Sequence, residues 1–408
     1  MSNPGMKLIL FLGAGVSVPS GLPTAQQLTS AIFRRAYHQD NYVYFSPGRH
    51  PVPHLRATDV TPRIHRLLRL LSKHDERDRK LVGYYPEGNG YRSSGAIFRG
   101  PTTYEDLFFL CQEISLWNKG LTDNSLITPF MELMVRRARG LFAGSSIKAR
   151  MCDLGSLAEQ ACFFIESVVA GELRPKGLAG FDLIRELATA PHIEELNIVT
   201  LNHDTLVERF LAENRVDFVD GFGERDGDVR WYDDRLYDVG HARVRLVKLH
   251  GSVNWYSFLR DGISRPAIIL GTNVEHLSDG EGTQLTPTSP RPSFLSGINK
   301  AVAYQRGIFG DMSFRFHQLL RQCKLMLMSG YGWGDTAINF QLNTWLDHCR
   351  CNTIILLHQS PEELVDRSLI LASGYDAWTR SQQLIPIPKW LCEVSLIDLE
   401  SHLVSGVH

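Results

Sequence analysis

Four short clusters in this chain, three of them with glycine, carry side chains that accept, donate or move protons. The first, Gly13-Ala14-Gly15-Val16-Ser17, is followed at once by Ser20-Gly21-Leu22-Pro23-Thr24. Glycines let a backbone turn tightly and approach an anion, and the N–H groups that open a helix supply donors, so this cluster can cradle a phosphate. The others are Thr200-Leu201-Asn202-His203-Asp204, Leu249-His250-Gly251-Ser252 and Ser329-Gly330-Tyr331-Gly332-Trp333-Gly334-Asp335. An imidazole, with an unperturbed pKa of about 6.5, can act as a base near neutral pH, while an amide and a carboxylate can orient hydroxyls or water. Each cluster also has a plain structural reading: a tight turn at Gly13 and Gly15, helix caps at Asn202, Asp204 and Asp335, a hydrogen-bonded turn at His250. A dinucleotide fingerprint for hydride transfer needs a third glycine where Val18 stands and an acidic residue about 20 positions on, so that chemistry is disfavoured.

Each cluster follows an apolar run. Residues 8–12 (LILFL), 196–201, 244–249 and 325–328 read as strands buried on both faces of a parallel sheet, and 267–270 and 353–357 look the same. Ligands in such sheets lie beyond the carboxyl ends of the strands, which brings all four clusters to one crevice. About 180 mainly helical residues separate the first run from the second. Thr61-Pro62 and Thr128-Pro129 read as cap and first-turn proline, and Ile64, Leu67, Leu68 and Leu71 share a helical face. Residues 104–117 and 157–169 continue the theme. The expected fold is α/β, a doubly wound parallel Rossmann-like sheet built from residues 1–30 and 190–380. A large helical insertion, 31–189, interrupts it, and a C-terminal segment, 381–408, is available as an interface. The Gly- and Ser-rich stretches 83–100 and 271–296 read as lids, binding loops or disorder.

At roughly 150 residues per domain, 408 residues allow two or three structural units. The net charge of -1 gives no global field toward nucleic acid or an anionic membrane, so neither is an expected partner. Residues 54–80 alone are markedly basic, eight Lys or Arg against four acidic residues, which fits a solvated helix face or an interface for an acidic partner. Seven scattered cysteines without a Cys-x-x-Cys pair indicate reduced thiols in the cytoplasm. Asp347-His348-Cys349 with Cys351 lacks a second ligand pair, so no metal is expected. No run approaches ~18 apolar residues, and the first residues lack a secretory profile.

Taken in order, Gly-Ala-Gly-Val-Ser with Ser-Gly-Leu-Pro, Thr-Leu-Asn-His-Asp, Leu-His-Gly-Ser and the glycine loop ending in Asp335 resemble the sirtuin family over roughly residues 6–360. Two departures bear on the branch. Protein-deacylating sirtuins carry Asp-Phe-Arg after the first motif, where this chain has Thr24-Ala25-Gln26, and a four-cysteine zinc ribbon that this chain cannot build. The chain is thus similar to prokaryotic sirtuin-like antiphage enzymes that hydrolyse NAD+, in which a helical insertion replaces the zinc module and acidic helices such as Tyr104-Glu105-Asp106-Leu107 are usual.

That resemblance implies NAD+ as substrate, cleaved between nicotinamide and ribose. Asn202 would orient water and ribose hydroxyls, His250 would act as general base, and Asp204 would hold the carboxamide. Gly13, Ala14, Gly15, Ser17, Ser20, Gly21 and Thr24 would grip the pyrophosphate side, with Gly330, Tyr331, Gly332 and Asp335 as a second surface. It further implies gating by homo-oligomerisation or a partner, similar to chains encoded beside a HerA-like hexameric ATPase. An NAD-dependent protein deacylase and a non-catalytic NAD or ADP-ribose sensor are the competing readings.

Overall fold

A computed structural model describes residues 5–35, 57–73, 102–121, 127–137, 141, 146–175 and 177–405, the last with short gaps at 240–241, 272–273, 275, 290, 298–299 and 301; it also gives the backbone of four short strands between 80 and 98. Seven parallel strands form one sheet in the order Leu384–Ile387, Thr353–Leu357, Leu325–Ser329, Met6–Leu12, Ile193–Thr200, Val244–Lys248 and Phe218–Val219. The chain starts in the middle, builds outward on one side, then returns to the other side of the first strand at Leu325–Ser329. Strand order therefore reverses between Met6–Leu12 and Leu325–Ser329, and a crevice opens where these strands end, at Gly13 and Gly330.

Successive strand residues point to opposite faces, and both faces are covered. Leu8, Leu10, Leu12, Leu196, Ile198, Leu325 and Leu327 join one apolar core with Leu107, Ile165 and Ile184. Ile9, Phe11, Val199, Met326 and Met328 join the other with Met312, Phe316, Leu342 and Trp345. Each fully buried Leu or Ile contributes about 1.5–3 kcal/mol, so a strand apolar at every position is what a two-sided sheet requires. The insertion helices Ala57–Lys73, Tyr104–Asn118, Ile127–Arg137 and Ile147–Glu172 all bury residues in the first core. The insertion in sequence is thus one covering layer in space.

Several expectations shift. The helix assigned to Thr61-Pro62 begins earlier, at Ala57, and carries Pro62 inside it; the missing N–H falls within the second turn, where it removes a single bond. The apolar run 267–270 does not enter the main sheet. It ends Ile263–Ile269, which pairs antiparallel with Trp255–Arg260 and Val229–Tyr232 in a separate four-stranded sheet. Its inward residues Tyr256, Phe258, Ala267 and Ile269 form a small core of their own with Leu277 and Leu285. Within 271–296, Leu277–Ser278 pairs with Gln284–Leu285, and in 83–100 Tyr84–Glu87 pairs with Gly90–Ser93; much of the latter stretch, like parts of the basic segment 54–80, lies outside the described residues. The C-terminal segment holds the sheet's edge strand, Leu384–Ile387, and a helix, Leu396–Ser405, that buries Leu399 and Leu403 in the first core.

Not every thiol is free: Cys349 and Cys351 are joined across the turn between Thr336–His348 and Thr353–Leu357, with Cα atoms 5.2 Å apart, inside the range a disulfide spans. Among the described residues no group of His, Cys, Asp and Glu is placed to hold a metal, and no helix is long and apolar enough to cross a membrane.

Candidate active site

The first and fourth clusters are built against each other. Gly13 N–H donates to Ser329 O at 2.9 Å and Gly15 N–H to Gly330 O at 3.0 Å. A Cβ on Gly13 would lie 2.5 Å from Gly330 O and one on Gly15 2.8 Å from Gly330 Cα, so these glycines permit a backbone-to-backbone approach between two loops. Val16 N–H returns to Gly13 O, so three N–H groups of the expected phosphate cradle are engaged within the protein; Ala14 is the exposed residue of the turn.

From the end of Ile193–Thr200, Asn202 reaches back onto this turn. Its Nδ2 donates to Gly13 O at 3.1 Å and to Ser17 Oγ at 3.0 Å. Both amide hydrogens are used, which fixes the orientation of the group. Asn202 Oδ1 is buried and has no hydrogen-bond partner among the described residues. Ser17 Oγ–H donates to Asp204 Oδ2 at 2.8 Å, and Asp204 Oδ1 accepts from Leu206 N–H at 3.0 Å, capping the helix Leu206–Glu213. Orientation and capping are therefore shared duties of one buried network. Replacing Ser17 with Ala strands Asp204 Oδ2 and one Asn202 hydrogen; we expect a loss of about 1–3 kcal/mol in stability, read from the denaturant midpoint at unchanged slope.

His250, after Val244–Lys248, is buried in the same place: its ring centroid is 6.0 Å from that of His203, the neighbour of Asn202. Its Nε2 lies 2.6 Å from Tyr304 Oη and 3.1 Å from Asp335 Oδ2, and Tyr304 Oη–H donates to the same Asp335 oxygen at 3.1 Å. The other oxygen of Asp335 caps Thr336–His348 through Ala337 and Ile338 N–H. Asp335 thus serves as cap and as histidine partner at once. Burial pulls the His250 pKa down, as does the neighbouring Lys300 charge, against an opposing pull from Asp335, so the ring is neutral at neutral pH. Burial pushes the Asp335 carboxyl up, but the His250 bond, the Lys300 charge and the Ile338 N–H outweigh it and hold the group below the usual carboxylate range.

The remaining expected residues have other tasks. Ser20 Oγ–H donates to Ala179 O and accepts Ala179 N–H, tying the turn to the chain before Asp182–Thr189. Thr24 caps Ala25–Arg34 through Gln27, and Gly21 supplies a left-handed φ of 80°. Tyr331 is a core residue, its ring 5.3 Å from Phe11 and its hydroxyl donating to Asn339 Oδ1 at 2.7 Å. Gly332 sits near Arg367. The site therefore assembles Gly13, Ser17, Asn202, Asp204, His250, Gly330 and Asp335, while Ser20, Thr24 and Tyr331 hold the frame.

Sequence reasoning did not single out Tyr304, Lys300 or Lys248. Lys248 is buried and bonds both Asp204 O and Glu208 Oε1, fixing the turn that carries Asn202. A lysine inside an apolar strand was a signal for it; Tyr304 and Lys300 lie in an irregular stretch with no pattern to read.

No family model and no curated protein matches this chain. Among solved structures it is similar to a Sir2–p53 peptide–NAD+ complex (11% identity, TM-score 0.36, covering 98% of this chain and 95% of that one). It is also similar to a Sir2 homologue triple mutant with 2'-O-acetyl ADP ribose (12%, 0.36, 99% and 92%) and to a Sir2 homologue–NAD complex (12%, 0.33, 99% and 92%).

Proposed function

We propose that the chain is an NAD+ hydrolase that breaks the bond between nicotinamide and ribose. The observation that carries this reading is Asn202: its amide is locked by Gly13 O and Ser17 Oγ, leaving Oδ1 buried and unpartnered among the described residues, next in sequence to His203, whose ring centroid lies 6.0 Å from that of the neutral, buried His250. A buried acceptor without a partner costs about 1–3 kcal/mol, and a ribose hydroxyl or a water would supply the missing donor. His203 Nδ1 is equally buried and without a partner among the described residues.

The chemistry asks little of the protein in acid catalysis. Nicotinamide leaves as a neutral molecule with the bonding pair, so no acid is needed on the leaving group, in contrast to glycosidases with paired carboxylates. Water attacks the oxocarbenium-like ribose carbon, the new C–O bond forms, and the proton passes to imidazole directly or through a ribose hydroxyl. Asn202 Oδ1 would align the water or hydroxyl, and the exposed backbone at Ala14 would face the pyrophosphate.

Activity should fall on the acidic side. Because the His250 pKa lies below its ordinary value of about 6.5, the base stays neutral as pH drops to that point and protonates only further down. The acidic limb of the rate profile is expected below about pH 6.5; a limb above neutrality would contradict the assignment. Stability follows the same group with its own sign: below about pH 6.5 the unfolded chain takes up the proton first, so folding weakens until the depressed native value is passed.

The reading is tested by incubating the pure chain with NAD+, alone and with candidate activators, and separating the products. Free nicotinamide with ADP-ribose, or a cyclised isomer, supports it; acyl-ADP-ribose formed only with an acylated peptide would make the chain a deacylase, and binding without nicotinamide release a sensor. A role in antiphage defence by NAD+ depletion, with gating by self-assembly or a HerA-like ATPase, rests on the motif resemblance. Full activity of the isolated monomer would count against the gating.

A further inference from the structure

Lys300 is a buried cation beside the base of this site. It is 7% exposed, and its Nζ stands 3.4 Å from His250 Nδ1 and 3.0 Å from Glu105 Oε1. Glu105 lies in the first turn of Tyr104–Asn118, so the contact joins the helical insertion to the strand end that carries His250. An ammonium has donors and no acceptor, so only the bare lone pair of a neutral imidazole can face it at Nδ1. The ring hydrogen is then on Nε2, where Tyr304 Oη and Asp335 Oδ2 both stand ready to accept. Two independent sets of contacts agree on one tautomer.

We propose that Lys300, anchored by Glu105, is a positioning residue that holds His250 as the Nε2–H tautomer with Nδ1 as its basic atom. The proposal rests on the functional reading above for its consequence in catalysis, though not for its geometry. The lone pair that a substrate hydroxyl or water would use is the one the ammonium faces. Glu105 is nearer to the ammonium than Nδ1 is, and it carries a full charge, so Lys300 can yield Nδ1 to an incoming hydroxyl while staying paired. When the proton arrives on Nδ1, the same ammonium stands next to a new cation. That repulsion favours prompt return of the proton to solvent or product. Every charged or titratable group facing the ring enters the balance. Lys300 opposes its protonation, Asp335 and Glu105 favour it, Tyr304 stays protonated because burial and Asp335 raise its pKa, and His203 is kept neutral by burial.

The test uses the full chain labelled with ¹⁵N-histidine, with the His250 signal identified by its loss in His250→Gln. Long-range proton–nitrogen correlations report the tautomer, and a pH titration reports the midpoint, neither needing turnover. The wild type is expected to show a hydrogen on Nε2 and none on Nδ1. Lys300→Met should move the His250 midpoint upward, and Glu105→Gln should move it downward, since one removes a positive and the other a negative neighbour. The acidic limb of nicotinamide release should move in the same two directions. A merely structural role for the pair would lower folding stability without opposed shifts. Nδ1 protonated in the neutral wild type, or midpoints that stay put or move together in the two variants, would overturn the proposal. Should Lys300→Met fail to unfold cooperatively, Glu105→Gln decides by the sign of its shift. Opposed shifts in a chain that releases no nicotinamide under any condition would leave the tautomer assignment standing and remove the hydrolase reading.

Discussion

Replacing His250 with Ala is expected to slow nicotinamide release by about 10²–10⁴-fold, the range that loss of a general base produces, equivalent to roughly 3–5 kcal/mol of barrier. The effect should fall on kcat, because in the proposed mechanism the imidazole would take a proton only as the ribose–oxygen bond forms. Asn202→Ala should cost a comparable factor for another reason. It removes the unpartnered Oδ1 and also frees Gly13 O and Ser17 Oγ, which the amide now holds. Some of its loss should therefore appear in substrate binding, raising KM as well. The two effects should be far from additive in the double variant, since under the proposed function both groups would act on one water or hydroxyl. Steady-state rates on proteins that still unfold cooperatively make the measurement. A His250→Ala chain that releases nicotinamide at the wild-type rate would remove the base from the account.

Gly330→Ala is expected to lower stability by about 2–5 kcal/mol. At φ +69° a side chain pays about 1–2 kcal/mol for the left-handed conformation. In addition, its Cβ would sit 2.6 Å from Val16 N and 2.8 Å from Gly13 O, an overlap with backbone that no rotamer relieves and that adds about 1–3 kcal/mol. Gly21 is the matched control: φ is +80° and a Cβ there meets nothing within 4 Å, so Gly21→Ala should show the conformational part alone, about 1–2 kcal/mol. Denaturant unfolding of the two variants separates the parts. Equal losses would mean that the approach of the two loops is not what Gly330 is for. Because Gly13 O also anchors Asn202, the Gly330 variant should lose activity beyond what its folded fraction explains.

The parallel sheet was legible because its strands are mostly apolar and lack the polar alternation of a half-exposed strand, as two-sided burial demands: residues 8–12, 196–200 and 325–328 are all in it. The same rule misplaced 267–270, since an apolar stretch reports burial and not which sheet buries it; the partner strands Val229–Tyr232 and Trp255–Arg260 alternate too weakly to announce a second sheet. Glycine was legible as a need for close approach, but the sequence could not say what approaches. At Gly13 and Gly15 it is Gly330, so part of what reads as an anion cradle is loop packing. Asn202 and His250 stood out because their types carry chemistry at strand ends. Ser20 and Thr24 stood out by adjacency alone, and their hydroxyls bond Ala179 and Gln27. Tyr304 and Lys300 were invisible, since only the tertiary fold brings them to His250 from 54 and 50 residues away.

Under the proposed function, Asn202, His250 and the Gly13 turn would enclose the scissile bond of one dinucleotide. A crystal structure of the His250→Ala chain grown with NAD+ decides this. Intact NAD+ is expected, with its nicotinamide ribose against Asn202 Oδ1 and its pyrophosphate along residues 13–17. A dinucleotide bound elsewhere on the chain, or an Asn202 Oδ1 that meets only protein at saturating NAD+, would contradict it.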